Sequence, residues 1–292
     1  MGDGLEWIQK HGAVEGYYLT FAQGMSARDL VVLLGAAPEE AAAPRTTAEM
    51  HGLLHEKVPW QDTPPDVATF GECGGWAFAL EPPSAWTRGD RLGEQAPRMP
   101  EGTRSVTILD TTMDPPQLTY AVDGTTVWQY HEGVTYTYRS GHTEQLDARL
   151  VAARVAIPEN GEPDWPTSGD EDEHEDDEVG KEPRLFRIVA EHFGLRLPTD
   201  ALLAQELPAV FTEPRLLRIP RYDPAPGPYT PCAHCGGAMR LAAPEWGPGH
   251  SLLTCESCEE SRAEEAPLRE IEEIPNPAYR HLDGIGPGVS NG

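Results

Sequence analysis

Long apolar runs are missing from this chain, and positive charge is scarce. No stretch approaches the ~20 consecutive apolar residues that span a bilayer. The first ten residues, Met1 to Lys10, hold neither a basic cluster nor an apolar core, so no secretory leader is expected. Position 6 is Glu where a myristoylation signal needs Ser or Thr. Only 22 lysines and arginines stand against 48 aspartates and glutamates in 292 residues, a net charge of -26. That imbalance repels nucleic-acid phosphate and anionic membrane, and it favours basic partners. Neither a Gly-x-x-x-x-Gly-Lys phosphate loop nor a Gly-x-Gly-x-x-Gly fingerprint occurs. Cysteine is scarce as well, at five residues, and four of these sit in metal spacing rather than in a scattered framework. Such usage points to a reducing interior, and the cytoplasm is the expected compartment.

Those four cysteines carry the strongest chemical signal. Cys232-Ala-His-Cys235 and Cys255-Glu-Ser-Cys258 are two Cys-x-x-Cys knuckles separated by 19 residues. Each knuckle places two sulfurs at a tight turn, and two knuckles close a tetrahedron around one metal. Gly236 and Gly237 follow the first knuckle, where the backbone must reverse sharply. Met239–Leu241 and Ser251–Thr254 read as short strands, joined by a Pro/Gly-rich excursion over 244–249. The expected module is a zinc ribbon over 231–262 that holds one structural zinc ion. Four thiolates leave no open position for water or substrate, which sets a structural site against a catalytic zinc or a redox dithiol pair. His234 lies inside the first knuckle as a substitute ligand, but four sulfurs already suffice. Residues 229–262 contain Arg240 and Arg262 against four glutamates, a net of -2. Without a basic face the counterion-release contribution is lost, so nucleic acid is disfavoured as a partner.

Order upstream of the ribbon is expected to be α+β, an antiparallel sheet with flanking short helices. Gly16–Ala22 reads as an opening strand, and Ser26 caps a short helix through Leu30 and Leu34. Thr46 or Thr47 caps a second helix. In 68–81, Trp76, Phe78 and Leu80 alternate with Ala77 and Ala79, the pattern of a strand with one heavily packed side. Gly74-Gly75 marks a bulge or a close backbone approach there. Asp123-Gly124, between 118–122 and 125–130, satisfies a type I′ hairpin turn. The domain so assembled spans 1–157. An acidic run over 158–182, twelve carboxylates against one lysine, cannot bury apolar area and reads as a disordered linker. Helical spacing resumes over 183–220 and completes the first domain; 221–230 is a proline-rich connector. An acidic segment with a helical reading over 264–274, and a Gly/Pro/Asn tail, fill 263–292.

Taken in order, several of these segments resemble a known family. They are Gly16–Gly24, Gly75–Glu81, the strand at 106–109, the hairpin at 120–124 and Gly194–Leu203. Together they are similar to the actinobacterial domain of unknown function DUF6461, over about residues 13–212. That resemblance brings no activity and no catalytic residues with it, and the cysteine module lies outside it.

Other constellations have plainer readings beside the functional ones. His51 and His55 are spaced i, i+4 on a helix, but Gly52 stands where a metalloprotease needs Glu. Cys73 reads as a small buried apolar residue rather than a nucleophile. Trp128, Tyr130, Tyr136 and Tyr138 either line a groove or pack across a hairpin. The leading functional expectation is a non-enzymatic cytoplasmic interaction module with a protein partner. The alternatives are an enzyme whose site is assembled by folding, and a regulatory nucleic-acid-associated factor.

Overall fold

A computed structural model describes residues 5, 8, 16–82, 100–111, 115–131, 133–137, 143–158, 181–213, 215–224, 227–243, 250–266 and 268–282. The acidic run at 170–178, the excursion at 244–249, Tyr138 and the tail from 283 lie outside these residues. The chain divides into two compact units: Met1–Glu213 with His281–Gly292, and Pro214–Arg280 between them. No helix among the described residues is long and apolar enough to cross a membrane.

The first unit is built on β1 (Gly16–Gln23), followed by helices α1 (Ala27–Leu33) and α2 (Pro38–Ala42). After β2 (Arg45–Thr46) comes α3 (Thr47–Lys57). Ser26 Oγ accepts from the Asp29 N–H to start α1, and Thr46 with Glu49 forms a complete capping box for α3. The strands β3 (Val67–Cys73) and β4 (Trp76–Glu81) are two arms of a hairpin, not one strand. Gly74 and Gly75 (φ 62° and 83°) form its turn, in the conformation where a β-carbon is disfavoured. A turn rather than a bulge therefore explains the glycine pair. Then follow β5 (Arg104–Thr111), β6 (Gln117–Val122), β7 (Thr125–His131) and β8 (Val134–Thr137). Asp123 and Gly124 (φ 49° and 72°) make the type I′ turn between β6 and β7. Next come α4 (Glu144–Ala152), β9 (Ile157–Pro158), α5 (Lys181–Phe193), α6 (Thr199–Leu203) and β10 (Pro208–Phe211).

These ten strands form one sheet in the order β2-β10-β3-β4-β1-β5-β6-β7-β8-β9. Every pairing is antiparallel except β8 with β9. Alternation along β1 and β4 sorts side chains by size. Leu19, Phe21, Trp76 and Phe78 join the large cluster that includes Leu185, Phe186 and Val189 of α5 and Leu146 and Leu150 of α4. On the other face, Ala22, Ala68, Ala77 and Ala79 are small enough for α1 to lay Leu30 and Val31 against them. Apolar helix periodicity thus meets apolar strand periodicity on both faces.

The second unit opens with β11 (Leu216–Tyr222), which pairs with β15 (Leu268–Pro275) as a two-stranded sheet. Between them, β12 (Met239–Ala243), β13 (His250–Cys255) and β14 (Ser261–Glu265) form a three-stranded antiparallel sheet. Residues 264–265 end β14 and 268–274 belong to β15, so the helical reading of 264–274 does not hold. Leu268, Ile271 and Ile274 mimic a helical repeat, but the glutamates around them have cross-strand partners on β11. Arg218 is paired with Glu273 in the ladder, and the Arg221 guanidinium lies 3.0 Å from the Glu272 carboxylate.

Candidate metal centre

Each knuckle is held by its own backbone before any metal is considered. In the first, the Gly236 N–H donates to Cys232 O (2.8 Å) and the Cys232 N–H to Gly237 O (2.9 Å). The second repeats the pattern: Glu259 N–H to Cys255 O (3.1 Å) and Cys255 N–H to Glu260 O (2.8 Å). Both knuckles end on a residue in the left-handed region, Gly236 (φ 73°) and Glu259 (φ 60°). The Glu256 N–H donates to Ala238 O at 3.0 Å and ties one knuckle to the other, while β12 and β13 pair Met239 with Cys255.

This scaffold brings four sulfurs together. The Sγ atoms of Cys232, Cys235, Cys255 and Cys258 all lie within 4.8 Å of one another. Cys232 and Cys258 are 3.7 Å apart, Cys235 and Cys255 3.5 Å. A disulfide requires about 2.05 Å, and all four cysteines are free thiols. A tetrahedral ion with metal–sulfur bonds of about 2.3 Å separates its ligands by about 3.8 Å. The donor set therefore fits a metal ion. Gly237 shows how tightly it is drawn: a β-carbon there would lie 2.7 Å from Ser257 Oγ and 3.1 Å from both Cys235 Sγ and Cys255 Sγ.

Backbone donors also aim at the sulfurs. The Gly237 N–H reaches Cys235 Sγ and the Ser257 N–H reaches Cys255 Sγ, both at 3.4 Å. The Ser257 amide is the main reason that the Cys255 thiol falls to about 6, with the Cys258 amide and the neighbouring thiols adding to it against burial. Cys258 moves the other way, to about 12. The Glu260 N–H pulls it down, but Cys235, burial, Cys255 and Cys232 together outweigh that amide. The two shifts oppose each other, as in a cluster of thiols that share hydrogen bonds.

The other sequence candidates stand apart. His234 is exposed on the first knuckle and outside the sulfur set. His51 and His55 are both exposed on α3, in no group of three or more metal-ligating side chains among the described residues. Cys73 is half-buried beside the sheet's large cluster, at the end of the β3–β4 hairpin. Trp128 and Tyr130 are core residues. The Trp128 indole donates to Asp147 Oδ1 at 2.7 Å, and the Tyr130 hydroxyl reaches Val155 O at 3.4 Å.

A second concavity was not foreseen from sequence. It lies in the first unit, has a volume of about 430 Å³, and is lined by Gln23, Trp76, Arg104 and Tyr120 of the sheet with Gln145, His192 and Phe193 of the helices. Four strands and two helices supply it, so no local motif announces it. Comparisons with protein-family models, curated proteins and solved structures found no match.

Proposed function

We propose that this chain is a cytoplasmic, non-enzymatic protein-interaction module in which the cysteine-bearing unit is a zinc ribbon. Cys232, Cys235, Cys255 and Cys258 would hold one structural zinc ion. The observation that carries this reading is the closed set of four sulfurs within 4.8 Å, in a unit whose described residues contribute nothing to the two large apolar clusters. An all-thiolate site favours zinc over hard cations, and the ion would supply cohesion rather than catalysis. The first unit would be a DUF6461-like domain, on the strength of the motifs it shares with that family.

The interaction role is supported by surface chemistry. Leu216, Leu268 and Ile271 of the paired strands β11 and β15 are exposed, as is Trp60 of the first unit. The charge of -26 favours a basic partner and opposes nucleic acid. Metal analysis of the purified chain should return one zinc per chain, and the Cys232→Ala/Cys255→Ala double variant none. Affinity capture from the native host with both forms tests the partner. A stoichiometric protein lost with the metal places recognition on the ribbon, and one kept by both forms places it on the sheet. No protein with either form, or zinc retained by the double variant, sinks the respective half of the proposal.

An enzymatic reading has one observation in its favour, the polar cleft of the first unit. Among the described residues that line it there is no carboxylate, thiol or serine, and burial holds the Tyr120 hydroxyl above its usual range, which works against its use as a nucleophile. Binding suits it better than bond-making.

A further inference from the structure

The cleft of the first unit lies where the helical layer stops short of the sheet. Arg104 and Gln23 are directly paired across β5 and β1, one step beyond the pair Ala22–Ser105. Trp76 immediately precedes Ala77, which is paired with Ala22 on the other side of β1 in the antiparallel register. These three residues therefore form a row across three adjacent strands, on the face that carries Phe21, Phe78 and Val106. Farther inside the sheet that face is covered by α5. Here the last residues of α5 and Gln145 of α4 line the cleft.

The wall they form is fixed. The Trp76 indole N–H donates to Phe193 O at 3.1 Å. The Phe193 ring lies 4.7 Å from the Tyr120 ring, and the His192 ring stands edge-on to Phe193 at 4.7 Å. Aromatic faces and edges are thus held in place by contacts that do not need a ligand. Gln23 and Gln145 add carboxamides, which can both donate and accept. Gln145 stands in the first turn of α4, whose Thr143 N-cap makes no side-chain hydrogen bond to the helix.

Arg104 supplies the charge. It is exposed and makes no ion pair among the described residues, in a chain with more than twice as many acidic as basic side chains. Its field is felt inside the cleft: burial raises the Tyr120 hydroxyl above its usual range, and Arg104 works against that rise. A lone guanidinium beside carboxamides and rings selects a planar anion, which it can meet with two parallel hydrogen bonds. Glu144, exposed and adjacent to Gln145, weighs against a dianion. The volume of about 430 Å³ lies in the range of small-ligand sites.

We propose that this cleft binds a small monoanionic organic acid, with its carboxylate on Arg104 and its body against the rings of Trp76, Tyr120 and Phe193. The proposal does not rest on the metal or on the interaction role.

The test uses the full-length, nitrogen-15-labelled protein, with benzoate as probe and benzamide as its neutral counterpart. Titration of benzoate should move the Trp76 indole N–H resonance and the amides of His192 and Phe193 saturably. Benzamide should bind about tenfold more weakly, since it lacks the charge-assisted pair. Arg104→Gln should remove that preference, and Arg104→Lys should keep part of it. Arg104 is exposed, so unchanged spectra away from the cleft are expected for both variants. Benzoate leaving these resonances unmoved, benzamide binding equally well, or Arg104→Gln retaining the preference would each overturn the proposal.

Discussion

The two units of this chain hold themselves together in different ways. The first buries Leu19, Phe21, Phe78, Val106 and Ile108 to 0% exposure across the middle of its sheet, with helices over both faces. The second has a longest strand, β15, in which seven of eight residues are exposed, and its buried apolar side chains among the described residues are Leu253, Ala266 and Tyr279 beside the thiols of Cys232 and Cys255. At about 25 cal/mol per Å² of apolar surface buried, the first has a driving force that scales with its area. The second has little of it, so under the proposed zinc reading four sulfurs would do what some forty side chains do in the first. If the second unit folds by coordination as proposed, the two units should fail under different insults.

Chelation is the largest of those insults. Removing the metal from the second unit should cost on the order of 10 kcal/mol of its folding free energy, because such units form no stable structure without the ion. Hydrogen exchange should show protection lost over 214–280 and kept over 16–213. Protection that persists in the second unit after chelation would break the comparison outright. The reverse experiment is Phe78→Ala, which opens a cavity where Phe78 meets Phe21 and the backbone of Gly71. A loss of about 3–5 kcal/mol is expected in chemical denaturation of the first unit, with zinc content unchanged.

Two substitutions sharpen the contrast at the knuckles. Gly237→Ala forces a methyl among Ser257 Oγ and two sulfurs, and should weaken zinc binding at least about tenfold in competition with a chromogenic chelator. An unchanged affinity would mean that the sulfurs are not drawn as closely as 3.5–3.7 Å. Glu259→Gly is the smallest effect and has the opposite sign. A non-glycine residue in the left-handed region costs about 1 kcal/mol, so relieving it should raise the melting temperature of the second unit slightly. Matching knuckles make that substitution equivalent to restoring in the second what Gly236 already provides in the first.

What could be seen in the sequence was what neighbours in the chain decide. The Cys-x-x-Cys spacing, the Thr46 cap and the Asp123-Gly124 turn each depend on a few adjacent residues, and each stands as expected. Gly74-Gly75 was visible as a signal, but the choice between bulge and turn depends on whether the flanking segments pair with each other. They do, through Cys73 and Trp76. The strand at 268–275 was misread for a stronger reason. Its conformation is set by Leu216–Tyr222, some fifty residues earlier, whose arginines match its glutamates. The cleft was wholly invisible, because Gln23, Trp76, Arg104 and His192 meet only once the strand order is known.

The twin knuckles also dictate an order of events when metal arrives. Each offers two sulfurs three residues apart in the chain, so either would seize an ion as a bidentate clip before the other joins it. Joining the clips closes a loop of about twenty residues, a slower and entropically costlier step. Once one clip is loaded, the second meets the ion at an effective concentration on the millimolar scale rather than from bulk solution. Acquisition should therefore be biphasic, a fast capture that depends on ion concentration followed by a ring closure that does not.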